Sequence, residues 1–158
     1  MKFNIALRNF LVVLFGALAL SACSTAKKAG DLQGDVYTGT ETIEYLAKGV
    51  PDRVFFATNK SSLTTAARDT LRKQATWLRK NKDLTVTVEG HADERGTREY
   101  NLALGERRAN AARDYLMTYG ISGKRISVIS YGKEKPVNPK SSPLSWSQNR
   151  RSVTVKVN

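Results

Sequence analysis

The sequence predicts an α/β (α+β) two-layer sandwich in the order β-α-β-α-β-β, with the helices on one face of a mixed four-stranded sheet. Three observations predict it. Residues 84–89, 125–131 and 151–157 alternate apolar and polar side chains with the period of two that a half-buried strand requires. Residues 64–80 and 98–119 repeat apolar side chains every three or four positions, which makes one face of a helix. The two kinds of segment interleave, as they must where helices cover a sheet. A chain of 158 residues holds one domain with appendages and has no room for two.

In chain order, residues 1–22 read as a cleaved signal peptide, with Lys2 and Arg8 ahead of an apolar run from Phe10 to Leu20 and a small-residue exit. Eleven helical residues rise about 16 Å, roughly half of a bilayer core, so a transmembrane span is the weaker reading. Leu20-Ser21-Ala22-Cys23 resembles a bacterial lipobox, whose cysteine is acylated and becomes the first mature residue. Cys23 is the chain's single cysteine and has no partner for an intramolecular disulfide. Several acyl chains would anchor it stably, and Ser24, by resemblance to lipoproteins with a residue other than Asp there, implies delivery to the outer membrane. Residues 23–49 are then a lipidated cysteine and a flexible tether, polar and Gly-rich through residue 40. Glu41–Gly49 is expected to add one or two helical turns with Ile43, Leu46 and Ala47 inward.

The domain proper, residues 50–158, starts with a strand at Arg53–Ala57, rich in β-favouring residues. Thr64 is a candidate N-cap for a helix with Ala67, Leu71, Ala75 and Leu78 on one stripe and Arg68, Arg72, Lys73, Arg79 and Lys80 elsewhere. Trp77 reads as a core or rim aromatic. In the next strand, Leu84, Val86 and Val88 alternate with Thr85, Thr87 and Glu89, and Gly90 ends it. The second helix runs from Arg98, carries Leu102, Leu104, Ala109, Ala112, Leu116 and Tyr119 inward, and stops at a C′ glycine, Gly120. A strand at Arg125–Tyr131 follows. Gly132–Ser147 contains three of the four prolines and reads as a long surface loop. The last strand, Arg151–Val157, is expected to turn Val153, Val155 and Val157 inward.

Between the middle strand and the second helix lies His91-Ala92-Asp93-Glu94-Arg95-Gly96-Thr97, four ionisable side chains in seven residues at a strand's C-terminal end. His91 with Asp93 and Glu94 suggests a wall hydrolase. Against that, a lone histidine lacks the partners that activate a base, and one histidine with one cysteine falls short of a zinc site. His91 is therefore expected to be structural, and neither a catalytic nor a metal site is expected. From spacing alone, Asp93 and Arg108 fit either a ligand clamp or an internal ion pair. The formal charge of +12 invites a nucleic-acid reading. Losing Lys2 and Arg8 with the leader lowers it by two, and an envelope protein meets anionic headgroups and wall polymers first, so no nucleic-acid partner is expected.

The run HADERG, followed by Tyr100-Asn101, LGERRA at 104–109 and a closing helix, resembles the OmpA-like peptidoglycan-binding domain family over Val50 to Asn158. With the lipobox, the tether and ISVISYGKEKP at 126–136, the chain is similar to that family's lipid-anchored members. The resemblance implies a non-enzymatic, cofactor-free module that grips the diaminopimelate-containing stem peptide of peptidoglycan, tethers the outer membrane to the wall, and partners the Tol proteins, including TolB. It implies that Asp93 and Arg108 are the anchoring acid and base. It adds contacts at Asn101 and Leu104, at the turn from Glu94 to Thr97, and at Phe56 and Ala57. Ala57 and Asn59 depart from the family, which commonly has Asp at both.

The proposed chemistry is explicit. Diaminopimelate ends in an ammonium and a carboxylate on one carbon. Arg108 can grip the carboxylate bidentately and Asp93 can accept from the ammonium. A lysine-type stem lacks that carboxylate and would leave Arg108 unpaired. Arg107, about 100° around the helix, should point elsewhere.

Overall fold

The computed structural model describes residues 32–157, so the expected leader, Cys23 and the start of the tether lie outside the described residues. Two small hairpins come first, β1 (Leu32–Gln33) with β2 (Val36–Tyr37) and β3 (Tyr45–Ala47) with β4 (Val50–Pro51). Then follow β5 (Arg53–Phe55), α1 (Thr65–Lys80), β6 (Thr85–His91), α2 (Arg98–Thr118), β7 (Ile126–Gly132), α3 (Pro143–Asn149) and β8 (Arg151–Val157). The main sheet has the order β5-β8-β6-β7, with β6 and β7 parallel and the other pairs antiparallel. This is the expected mixed four-stranded sheet, with α3 added before its last strand.

Local chemistry accounts for the two long helices. Thr64 Oγ1 accepts from the Ala67 amide at 3.2 Å and caps α1, whose Ala67, Leu71, Ala75 and Leu78 are buried as the stripe predicts. In α2, Thr97 caps the start and Gly120, at φ +82°, follows the end. Val54, Phe56, Val86, Val88 and Ile126 meet Leu71, Leu78, Ala109, Ala112 and Leu116 in one core. The helix that matters for the site sits very close to the sheet. A Cβ built on Gly90 of β6 would lie 1.8 Å from the Gly105 carbonyl oxygen of α2. Only paired glycines permit that approach, and it brings the next turn of α2 against the end of β6.

Four expectations need correction. Leu102 is 48% exposed, because it lies about 200° around α2 from the buried Leu104. In β8, Ser152 and Thr154 are buried while Val155 and Val157 are exposed. The register sets Thr154 opposite Val88, so it shares the helix-facing side, where its hydroxyl donates to Gln74 Oε1 at 2.8 Å. The 132–147 stretch is not all loop. Ser142 caps α3 with Pro143 in its first turn, and Ser145, Ser147, Gln148 and Asn149 are buried. Asn149 Oδ1 accepts from the Val137 and Asn138 amides at 2.8 and 3.0 Å, which lets polar side chains go inside.

The fourth concerns residues 32–49, expected as flexible tether and helical turns, which with Val50 and Pro51 take another form. They form the two hairpins, turned at Gly34 (φ +68°) and Gly49 (φ +75°). Tyr37 packs edge-on to Phe55 with 4.8 Å between centroids, and Tyr37 and Leu46 are both buried. Strands of two or three residues are too short to show a hydrophobic period, so the pattern could not reveal them. Among the described residues, no helix is long and apolar enough to cross a membrane.

Candidate functional site

The site forms where β6 ends, α2 begins and β8 enters the sheet. Asp93 leaves β6 buried, and its carboxylate is surrounded by donors. Oδ1 accepts from the Arg95 amide and from Arg95 Nε, both at 3.1 Å. Oδ2 accepts from Arg95 Nη2 at 2.7 Å and Arg150 Nη1 at 3.2 Å. Four bonds fill about all the lone-pair directions a carboxylate has. Burial pushes the acid's pKa up, but the Arg95 bonds and then the Arg150 bond outweigh it, and the net pKa falls below the usual 3.8.

Arg108 lies behind this pair and is fully buried. Its guanidinium donates to three main-chain carbonyls: Nε to Lys60 at 2.9 Å, Nη1 to His91 at 2.8 Å and Nη2 to Ala57 at 3.1 Å. Its carbon lies 5.4 Å from the Phe56 ring centroid. No carboxylate among the described residues bonds it. Burial, and then the like charge of Arg150, lower its pKa to about 10, so it stays cationic at neutral pH. Asp93 and Arg108 therefore do not form the internal ion pair that spacing allowed. The pairs are Asp93 with Arg95 and Asp93 with Arg150.

The other predicted residues fall around these two in distinct ways. Asn101 is buried and its Nδ2 donates to the Arg95 carbonyl at 2.8 Å, tying the turn to α2. The Thr97 hydroxyl accepts from the Tyr100 amide at 3.2 Å as the helix cap. Glu94 is exposed and accepts from the Ser141 hydroxyl and from Trp146 Nε1 at 2.8 Å. Phe56 and Leu104 belong to the packed interior, and Phe56 and Ala57 reach the site through their carbonyls. Arg107 is exposed, away from Arg108. His91 contributes its carbonyl to Arg108 and turns its ring elsewhere.

Sequence reading missed four participants. Arg150 is buried and donates to the Phe56 carbonyl, Asp93 and the Asp35 carbonyl. Asp35, in the β1–β2 turn, accepts from the Thr58 amide at 2.6 Å and lies 4.0 Å from Arg150. The Ala57–Thr58 peptide is thus held on both edges, by Arg108 at its carbonyl and by Asp35 at its N–H. Trp146 of α3 stacks on Arg95, 4.3 Å from guanidinium carbon to ring centroid. Lys133 of the GKEKP stretch donates to the Gly96 carbonyl at 2.7 Å and braces the turn. Arg150 falls between the expected loop at 132–147 and the expected strand at 151–157, in a polar stretch without a period, so nothing in the pattern singled it out.

The comparisons with known proteins agree with this architecture. A model described as the OmpA family matches residues 55–150. A Brucella melitensis protein named peptidoglycan-associated lipoprotein is 43% identical over 157 residues, covering 96% of this chain and 94% of its own. A Rhizobium meliloti protein of the same name is 46% identical, covering 96% and 89%. The crystal structure of the peptidoglycan-associated lipoprotein from Burkholderia pseudomallei superposes with a TM-score of 0.65 at 37% identity, covering 67% of this chain and 90% of that one.

Proposed function

This chain belongs to the OmpA family, which is not a family of enzymes, and from that premise we propose that it is an envelope lipoprotein binding peptidoglycan non-covalently. The ligand is the diaminopimelate end of the stem peptide. One observation carries the reading: Arg108 is fully buried, yet no carboxylate among the described residues pairs with it. An uncompensated guanidinium in low dielectric is costly, and a ligand carboxylate supplies the missing charge. Arg95, 42% exposed, meets that carboxylate first. Lifting residues 57–60 then frees the Nε and Nη2 donors of Arg108. Because Asp93 is saturated in the free protein, it accepts the ligand ammonium only as Arg95 swings to the carboxylate, so the two exchanges are one event. Asn101, Leu104, Thr97, Glu94, Phe56 and Ala57 form the surrounding shell.

The remaining parts of the proposal rest on the leader and the family. Residues 1–22 are cleaved, Cys23 is acylated and inserted in the outer membrane, and the segment through residue 49 joins it to the wall-binding domain at 50–158. The domain faces the periplasm, holds the outer membrane to the wall, and works with Tol proteins, including TolB. The test is sedimentation of the whole mature chain with isolated peptidoglycan, for wild type, Asp93→Ala, Arg108→Ala and Arg107→Ala. Retention by wild type and Arg107→Ala with loss in the other two is expected. Equal retention of all four removes the site assignment.

A further inference from the structure

A second group of buried cations lies on the sheet face turned away from α1 and α2, where the wall-binding reading assigns nothing. There a cavity of about 520 Å³ opens between the β3–β4 hairpin, β6, β8 and the segment around Lys135. That volume is within the range of small-ligand sites. Two of its buried polar residues have side-chain nitrogens without a hydrogen-bond partner. Arg151 is 6% exposed, and its Nε has none, while Nη1 and Nη2 reach only the Asn149 and Lys135 carbonyls at 3.3 and 3.2 Å. His91 is 2% exposed and neither ring nitrogen makes a hydrogen bond. The contrast with Arg53 in the same cavity is instructive. Arg53 is gripped by Asp52 through two 2.7 Å bonds, with Glu44 at 3.3 Å. Its charge is met by bonded carboxylates, whereas Arg151 has no carboxylate at bonding distance and feels Glu89, Asp52 and Glu44 only through space.

From this geometry we infer that the cavity is a binding site for a carboxylate carried on an apolar body, with Arg151 as the principal donor. Arg151 Nε supplies the bond to the carboxylate, and the neutral His91 ring a second. Lys135, whose ammonium sits 3.6 Å from the Tyr131 ring centroid, adds charge at the mouth. Glu89, 3.5 Å from His91 Nε2, lines the same cavity and limits how much negative charge it accepts. The charged residues lining the cavity, four basic and three acidic, sum to +1, which suits a single carboxylate better than a phosphate dianion. Tyr45, Leu46, Val137, Val153 and Val155 line the walls and demand an apolar body behind the charge. The burial that keeps His91 neutral, with a pKa near 3, also removes it as a competing cation. A free organic acid and the C-terminal residue of a peptide share this chemistry.

The experiment is a ¹⁵N NMR titration of the whole mature chain, following the Arg151 Nε–H and His91 ring resonances. The probes are N-acetyl-leucine, its uncharged analogue N-acetyl-leucinamide, and N-acetyl-alanyl-alanyl-leucine. Saturable shifts with Kd on the order of millimolar are expected for the two acids and not for the amide. Tighter binding of the tripeptide assigns the site to peptide C-termini, and the reverse to free acids. Either outcome supports the carboxylate reading. Arg151→Met should abolish the shifts of His91, and Lys135→Ala, on an exposed segment, should weaken binding several-fold with the fold intact. Equal shifts from the amide, or no saturable shift from any probe, overturn the proposal. Peptidoglycan sedimentation of Lys135→Ala should match wild type, so failure here and failure of the wall-binding reading are separately visible.

Discussion

Arg150, the C-cap of α3, and Arg151, the first residue of β8, are neighbours in sequence, equally long and both buried, yet they meet different partners and opposite electrostatic conditions. Arg150 enters the helix-side site and finds a carboxylate, Asp93, with the Phe56 and Asp35 carbonyls completing its bonds. Arg151 faces the outer cavity and finds two carbonyls at long range with one donor left over. Burial alone therefore does not tell what a charged side chain contributes. The partner set does, because removing one member of a buried ion pair strands a charge, while removing Arg151 leaves only two carbonyls that it held at long range.

The largest expected effect breaks that comparison directly. Arg150→Met should cost about 3–5 kcal/mol in urea denaturation, because it leaves Asp93 and two carbonyls short of donors. Arg151→Met should cost under about 1 kcal/mol, or even stabilise, since an apolar side chain of similar length relieves a buried unpaired charge. Similar losses in the two variants would show that partners do not set the difference. Next in size, Gly90→Ala should cost roughly 1–3 kcal/mol by driving α2 off β6. It should also lower wall retention, because α2 carries Arg108 away from the His91 carbonyl, and undiminished retention would show that the glycine contact does not position Arg108.

A pH experiment sharpens the outer face. Burial first, then Arg151, Lys135 and Arg53, depress His91 from 6.5 to about 3. The folded imidazole stays neutral while the unfolded one protonates, so the stability it contributes is full above pH 6.5 and is lost as pH falls toward 3. Between pH 7 and pH 5 this amounts to about 2 kcal/mol. Denaturation curves of His91→Gln should be flatter by that amount over the same window, and an unchanged slope would mean that His91 titrates normally. The smallest effect is at Asp35, half-exposed in the β1–β2 turn. Asp35→Asn should cost about 0.5–1 kcal/mol and reduce wall retention only a few-fold, through the Thr58 amide and Arg150.

Legibility followed the physics of pattern. The helices α1 and α2 and the strands β6 and β7 were readable because their apolar residues repeat over many positions, and caps such as Thr64 are local. The face of β8 was not readable, because Ser152 and Thr154 are inside for a tertiary reason, the Gln74 hydrogen bond and the register against β6. Nor was α3, where Ser145 pairs with the Ser142 hydroxyl, Ser147 donates to the Leu144 carbonyl and Asn149 accepts from the 137–138 backbone. Within the site, Asp93 and Arg108 emerged from the family resemblance and not from spacing, which left an ion pair equally open. Arg150 and Asp35 were invisible, since one sits between the expected loop and the last strand and the other in the expected tether, and only three-dimensional closure brings them to Asp93.

The central claim is that Arg108 and Asp93 recognise the carboxylate and ammonium at the end of diaminopimelate. Isothermal titration of the whole mature chain with a diaminopimelate-type muropeptide and its lysine-type counterpart tests it most directly. Each charge-assisted bond is worth about 1.5–3 kcal/mol, so the account predicts that the lysine-type ligand binds about tenfold to a hundredfold more weakly to wild type. It predicts further that Arg108→Gln binds both ligands weakly and nearly equally. Equal affinity of wild type for the two muropeptides, or discrimination that survives in Arg108→Gln, would contradict it.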